Sequence, residues 1–391
     1  MKHYFCIFSV QTSKIKEYLF PPFFQYFFRR RIVKCLLCHQ VSQDHSGVPL
    51  RVDGRYSLQE PLSLGAYATI YKAVNIINHQ IYAIKLEACS EERISSVERE
   101  YYILKQLCSA TVVGIPQVHW FGQESSFDAM VLDLLGPSLH DLLGFQGKFD
   151  PLTVHYVGNQ LLSQVHYIHS RGYVHGDIQP QNILMGLHQS LTIFITNFGG
   201  STQFRHPETG AHVPFCQMSS VLAGTPAFTS INSHLGAKLS QCDDLRSLVY
   251  LLIYLTCGTL PWLQPRHKSR GFKHTAYSAI LEHKQTIPME QLCADSPKLS
   301  SMLLYIHALS FSETPDYGYI HSLLRNASDQ SQLSIDEVQI IRQDLSQADC
   351  NDLDPSAAQC LSPAPPRHRQ VHTSLSCGPT SFSVKSPMIA V

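Results

Sequence analysis

The stretch of this chain best equipped for chemistry is the run Tyr173–Asn182, Y-V-H-G-D-I-Q-P-Q-N, followed by the turn Thr196-Asn197-Phe198-Gly199. Its carboxylate, Asp177, is a type of group that orients a hydroxyl and accepts its proton. Its carboxamides, Asn182 and Asn197, offer neutral oxygens, which hard divalent cations bind less well than anionic ones. Earlier in the chain, Lys85 ends the β-like run Tyr82-Ala83-Ile84-Lys85, and Glu98 and Glu100 follow on a run, Ser96–Leu107, with helical period. A lysine at a strand end is usually a solvated charge, and a loop aspartate often caps a helix. Taken together, a cation, a carboxylate able to hold it and a loop carboxylate flanked by carboxamides could manage an anionic group and a proton.

These groups lie far apart in sequence, so folded elements must bring them together. From Tyr56 the chain reads as short β-like runs. Leu62–Tyr71, L-S-L-G-A-Y-A-T-I-Y, predicts two strands around a tight turn at Gly65. Val131–Leu139, V-L-D-L-L-G-P-S-L, reads as a buried strand entering a turn. Leu161–His169 reads as a helix, and Ile183–Ile195 as strand, turn, strand.

The 391 residues suffice for two lobes and extensions, and 44% hydrophobic content supports a real core. Thirty basic and 30 acidic residues give zero formal charge, so nothing global points to nucleic acid or an anionic membrane. The 12 cysteines are scattered, several among apolar neighbours (Cys108, Cys242, Cys257), which suits reduced thiols. Cys35-Leu36-Leu37-Cys38-His39 reads as C-x-x-C-H, but no second pair accompanies it, and chance spacing is the simpler reading. Residues 1–52 are basic and aromatic-rich, broken by Pro21-Pro22 and Arg29-Arg30-Arg31; they are expected to be an extension without a fold of its own. No apolar run there reaches the ~18 residues of a spanning helix. Residues 327–391 shift to Ser, Gln, Asp and Pro and are expected to be mostly disordered, with one short helix through Leu345 that Ser334-x-x-Glu337 could cap.

The run Tyr173–Asn182 resembles the catalytic loop of protein kinases, H-R-D-x-x-x-x-N, and Asn197-Phe198-Gly199 resembles their D-F-G turn. Tyr82–Lys85 is similar to V-A-I-K. The phrasing Gly114-Ile115-Pro116, then Leu134-Leu135-Gly136-Pro137-Ser138-Leu139, resembles the casein kinase 1 family. So do His212-Val213-Pro214-Phe215, the run from Gly224-Thr225 to His234-Leu235-Gly236, Asp243-Asp244-Leu245, Gly258–Trp262 and Pro315-Asp316-Tyr317-Gly318-Tyr319. The resemblance covers roughly residues 56–326. It implies an α+β, bilobal fold: a β-rich N-lobe over about 56–132 with one main helix, and a helical C-lobe over about 133–326. Tyr250 and Trp262 should pack the C-lobe.

The resemblance also implies roles. Lys85 would meet the α and β phosphates of ATP and pair with Glu100, with Glu98 as fallback. Asp177 would accept the substrate proton. Asn182 would hold Mg²⁺, and Asn197 would hold it only weakly. Leu62, Gly65, Ala83, Leu132, Asp133, Leu135 and Leu184 would line the nucleotide cleft. The chain departs from the pattern where charge is needed: Asn197 replaces the metal-bridging Asp, and Gln179 replaces the loop Lys. Gly176 replaces the loop Arg, Ala227 an Arg used for primed substrates, and Ser63 and Ala68 the outer loop glycines. The expectation is a divergent casein kinase 1-like domain with phosphoryl transfer to Ser/Thr weak or lost, a pseudokinase or scaffold. The alternative is a slow kinase using Asp177 and Asn182. Expected partners are ATP, with Mg²⁺ weak or absent, and a protein substrate or partner. The chain is expected to be a monomer inside the cell, in cytoplasm or nucleus.

Overall fold

The computed structural model describes residues 48–65, 67–90, 94–109, 112–187, 190–216, 223–263, 276–293, 296–324 and 335–345. The C-x-x-C-H run, the rest of the extension through residue 47 and the tail from 346 lie outside them. All described residues belong to one unit, Met1–Gln347.

The chain begins with a hairpin of β1 (Arg51–Val52) and β2 (Tyr56–Leu64). Its loop, Asp53-Gly54-Arg55, has positive φ at Asp53 (52°) and Gly54 (61°), a conformation that Asp and Gly tolerate best. This corrects the expectation that the extension runs without structure through residue 52. Val52 is fully buried in a cluster with Tyr56, Ala73, Ile84 and Val131, and that burial holds β1 on the sheet. The sheet continues with β3 (Ala68–Asn75), β4 (Ile81–Ala88), β5 (Val118–Glu124) and β6 (Phe127–Asp133). Its order is β1-β2-β3-β4-β6-β5, antiparallel throughout.

Successive side chains of a strand point to opposite faces. In β4, Ile84 and Leu86 enter the cluster around Val52, while Lys85 and Glu87 turn toward helix α1 (Ser96–Leu107). That helix buries Val97, Ile103, Leu104 and Leu107 at its period. Its N-terminus is held by Glu87, whose Oε2 accepts from Ser95 Oγ (3.2 Å), Ser96 Oγ (2.6 Å) and Val97 N (3.0 Å). Ser95 Oγ in turn caps Glu98 N.

The second lobe is helical. It comprises α2 (Leu139–Gln146), α3 (Pro151–Ser170), α4 (Ile231–His234), α5 (Gln241–Cys257), α6 (Ala276–Thr286), α7 (Met289–Leu292), α8 (Pro297–Ala308), α9 (Tyr317–Leu324) and α10 (Ile335–Leu345). Four short strands lie between α3 and α4: β7 (Tyr173–Val174), β8 (Ile183–Met185), β9 (Ile193–Ile195) and β10 (Thr202–Gln203). Helix α5 is apolar on nearly every side and is buried accordingly. Against it lies α3, where a Cβ added at Gly158 would sit 3.2 Å from Leu252. Tyr250 and Trp262 pack edge to face at 5.1 Å inside this lobe, as expected.

The fold does not stop at residue 326. Helix α10 buries Ile341 and Leu345 in the main core, and Asp150 N donates to Asp344 Oδ2 at 2.8 Å. The expected short helix is therefore part of the packed lobe. Cys242 and Cys293 are buried, whereas Cys108 and Cys257 are exposed, because each sits where its helix ends. No described helix is long and apolar enough to cross a membrane.

Candidate active site

Lys85, Glu100, Asp177, Asn182 and Asn197 come together in one hydrogen-bonded group. Lys85 Nζ donates to Glu100 Oε2 at 2.6 Å, and Glu100 is only 2% exposed. The other oxygen of Glu100 accepts from Phe198 N at 2.9 Å, so the carboxylate holds both the lysine and the turn after Asn197. The fallback Glu98 remains at the helix N-terminus, its N–H on Ser95. Next to Glu100, the Arg99 guanidinium donates to the Gly199 carbonyl and ties α1 to the same turn.

Lys85 Nζ also donates to Asn197 Oδ1 at 2.9 Å. Asn197 Nδ2 donates to Asn182 Oδ1 at 3.2 Å. Asn182 Nδ2 donates to Asp177 O (2.8 Å) and Asp177 Oδ2 (2.9 Å). The two amide orientations follow from chemistry. An ammonium has only protons to offer, so Asn197 must show it oxygen. The Asp177 carbonyl and carboxylate only accept, so Asn182 must show them nitrogen. Asn197 takes φ 67°, ψ 58°, a left-handed conformation that asparagine tolerates better than most residues.

Asp177 is half-buried and fully engaged. Oδ1 accepts from Thr225 N and Thr225 Oγ1, each at 2.8 Å. Oδ2 accepts from Asn182 and from Gln179 Nε2, each at 2.9 Å. Gln179, where the resemblance expects a lysine, thus replaces a cation with a neutral donor.

The loop carrying Asp177 is anchored from below. Asp244, in the first turn of α5, is 2% exposed and accepts from His175 N (2.7 Å), Gly176 N (2.8 Å) and His169 Nε2 (2.8 Å). Burial pushes its carboxyl pKa up, but the hydrogen bond and charge of His169, with His175 and the Gly176 N–H, outweigh this and leave it lowered. The other ring nitrogen of His169, Nδ1, makes a hydrogen bond with the Tyr317 hydroxyl at 2.5 Å. Gly176 has φ 80°, and a Cβ on Gly224 would lie 2.4 Å from the Gly176 carbonyl oxygen. Both positions therefore require glycine.

The segment after Gly224 rests on Lys284 of α6. This lysine is 6% exposed and donates to Pro226 O (2.8 Å) and Thr229 O (2.6 Å). Burial lowers its pKa to about 7. Ala227 lies in this segment, and its carbonyl accepts from Trp262 Nε1 at 2.8 Å.

The other residues expected to line a nucleotide cleft lie on β2, β4, β6 and β8 and in the segments beside them. Ala83 and Leu132 are neighbours across β4 and β6. The segment after Leu135 joins β8 through Gly136 N to Met185 O (2.8 Å) and Met185 N to Pro137 O (2.9 Å), next to Leu184. Leu62 is exposed at the sheet edge. At Gly65 the turn closes with its N–H on Ala68 O at 2.9 Å, and an added Cβ would meet that oxygen at 2.8 Å. Asp133 turns its carboxylate toward β5, to Gln117 N (2.9 Å) and His119 Nε2 (2.7 Å).

Sequence reasoning assigned no role to Glu87, Arg99, Thr225, His169 or Asp244. Glu87 had a readable signal: it stands two residues after Lys85 and so faces α1 with it. Asp244 and Thr225 stood inside recognised motifs, without a function attached to either.

Mg²⁺ takes oxygen ligands in octahedral geometry and is held by one or two protein carboxylates together with waters and substrate phosphates. Here Asn197 Oδ1 already faces an ammonium, Asn182 Oδ1 accepts from Asn197, and each Asp177 oxygen holds two donors. Among the described residues no cluster of three His, Cys, Asp or Glu could hold a metal. The donor set does not fit Mg²⁺.

The family model of the protein kinase domain matches residues 56–315. Members of that family use ATP with Mg²⁺ and act on protein substrates. The match takes in the sheet from β2 onward, Lys85 with Glu100, the Asp177 loop and α5 beneath it, over well more than half of the chain, and on that extent this protein belongs to the protein kinase domain family.

Proposed function

We propose that this chain is a casein kinase 1-like kinase domain in which phosphoryl transfer to Ser/Thr is weak or lost, and that it works as a nucleotide-binding module or scaffold. The observation that carries the reading is the Asn197 carboxamide, bonded to Lys85 and Asn182 where the family's turn supplies a metal-bridging carboxylate. Gln179 adds to it by removing a cation from the place where phosphoryl charge must be stabilised. Losing one preorganised electrostatic group costs about 10²–10³ in rate. Two such losses bring transfer toward background, although coupled losses do not simply add.

A second reading, a slow serine/threonine kinase with Asp177 as base and Asn182 as metal ligand, is favoured by the survival of Lys85, Glu100, Asp177 and Asn182 in one group. The committed oxygens of both asparagines weigh against it.

The test is transfer from labelled ATP to an acidic protein, with Mg²⁺ or Mn²⁺, for wild type, Asp177→Ala and Asn197→Asp. No wild-type product, with product appearing in Asn197→Asp, supports the first reading. Wild-type product abolished by Asp177→Ala establishes the second.

A further inference from the structure

The mismatch with Mg²⁺ has a positive side, because a site with few free oxygens for a cation can still offer free donors to an anion. Lys85 carries three N–H groups and commits two, to Glu100 and Asn197. Asn197 Nδ2 carries two and commits one, to Asn182. Protons are therefore left over on Lys85 and Asn197, while each asparagine oxygen already accepts one bond and each Asp177 oxygen two. Anions are bound by donors and cations by acceptors.

The neutral side chain at position 197 points the same way. A carboxylate at position 197 would stand beside nucleotide phosphates, and that repulsion is what a bridging Mg²⁺ relieves. The carboxamide removes the repulsion at its source, so no cation is needed to offset it. Asn197 also holds Lys85 by its oxygen, which keeps the ammonium at the site in the absence of metal.

Resting on the kinase-domain reading above, we infer that this site binds a nucleoside di- or triphosphate directly, without a divalent cation, through Lys85 and the Asn197 amide. Asn197 is then the residue that determines metal independence. Mg²⁺ in solution competes with the site for the phosphates, so it leaves affinity unchanged or weakens it.

The experiment is equilibrium titration of the full-length chain with ADP and with ATP, in EDTA and in excess Mg²⁺, for wild type and Asn197→Asp. Binding of wild type in EDTA, equal to or tighter than in Mg²⁺, is expected. The added charge of Asn197→Asp should weaken binding in EDTA by roughly tenfold or more, with Mg²⁺ restoring it. The substitution is isosteric, and its unfolding temperature checks that the fold persists. Binding by wild type only when Mg²⁺ is present overturns the inference. So does no binding in either condition, or an Asn197→Asp variant with unchanged metal response. A transfer assay on the same preparations separates the two claims: turnover abolished by Asp177→Ala would sink the non-catalytic reading while leaving the EDTA comparison to decide this one.

Discussion

Removing the Asp177 side chain should destabilise the protein, beyond any effect on turnover. In Asp177→Ala four accepted hydrogen bonds vanish: two from Thr225 at 2.8 Å, and one each from Gln179 and Asn182 at 2.9 Å. A hydrogen bond to a charged group contributes about 1.5–3 kcal/mol, but Asp177 and Thr225 are only half-buried and water can replace part of what is lost. Gln179 and Asn182, 7% and 6% exposed, have less access to water. A net cost of about 2–4 kcal/mol follows. At about 2–3 °C per kcal/mol for a domain of this size, the unfolding temperature should fall by about 4–12 °C. Asp177→Asn, which keeps one acceptor oxygen, should fall by less. Thermal unfolding measures the drop, and limited proteolysis should show new cleavage near Thr225, since two of the four bonds hold that residue. An Asp177→Ala protein that melts within about 1 °C of wild type, with unchanged proteolysis, would refute the reasoning and leave Asp177 without this structural role.

Three further outcomes are expected. Asp244→Asn should cost about 3–5 kcal/mol in denaturant unfolding, because the amide cannot accept from His175 N, Gly176 N and His169 together. Since the folded pKa of Asp244 is lowered, its contribution is present above the unfolded value of about 3.9 and lost as pH falls through the folded one; wild type should approach the variant's stability in acid. Lys284 has the opposite sense. Its pKa is depressed to about 7 from 10.5, so the folded state holds fewer protons between those values, and wild type should gain stability over Lys284→Met as pH rises from 7 to 10.5 in urea titrations. Ile341→Ala should destabilise by about 2–5 kcal/mol in the same assay, as for a core residue; a surface-like value below about 0.5 kcal/mol would place α10 outside the fold.

The motifs made the site legible because each is short and local: a strand ending in Lys85, a helix bearing Glu100, a loop with Asp177 and Asn182 five apart. What could not be read was how fully those groups satisfy one another. Thr225 reaches Asp177 across 48 positions, and Lys85 reaches Asn197 across 112. The exchange of Asp for Asn at 197 was legible as a lost charge. That the amide nitrogen would turn to Asn182, and so engage the second oxygen as well, needed coordinates. Both fold boundaries were drawn too tight for a related reason. Val52 ends a basic, aromatic-rich stretch and Ile341 lies in a Ser-, Gln- and Asp-rich one, and a few buried side chains, Val52 on one side and Ile341 with Leu345 on the other, hold them to the two lobes.

Helix α1 is fastened at its start by Glu87, on its inner face by Glu100 to Lys85 and Phe198, and at Arg99 to the Gly199 carbonyl. Three fastenings oppose a swing of the helix. A partner that docks against α1 would find that helix already tied in place, which lowers the ordering entropy lost on docking. On the proposed non-catalytic reading, in which the chain acts by being recognised, such fastening is itself a functional property: it keeps the surface a constant that other molecules can be selected to fit.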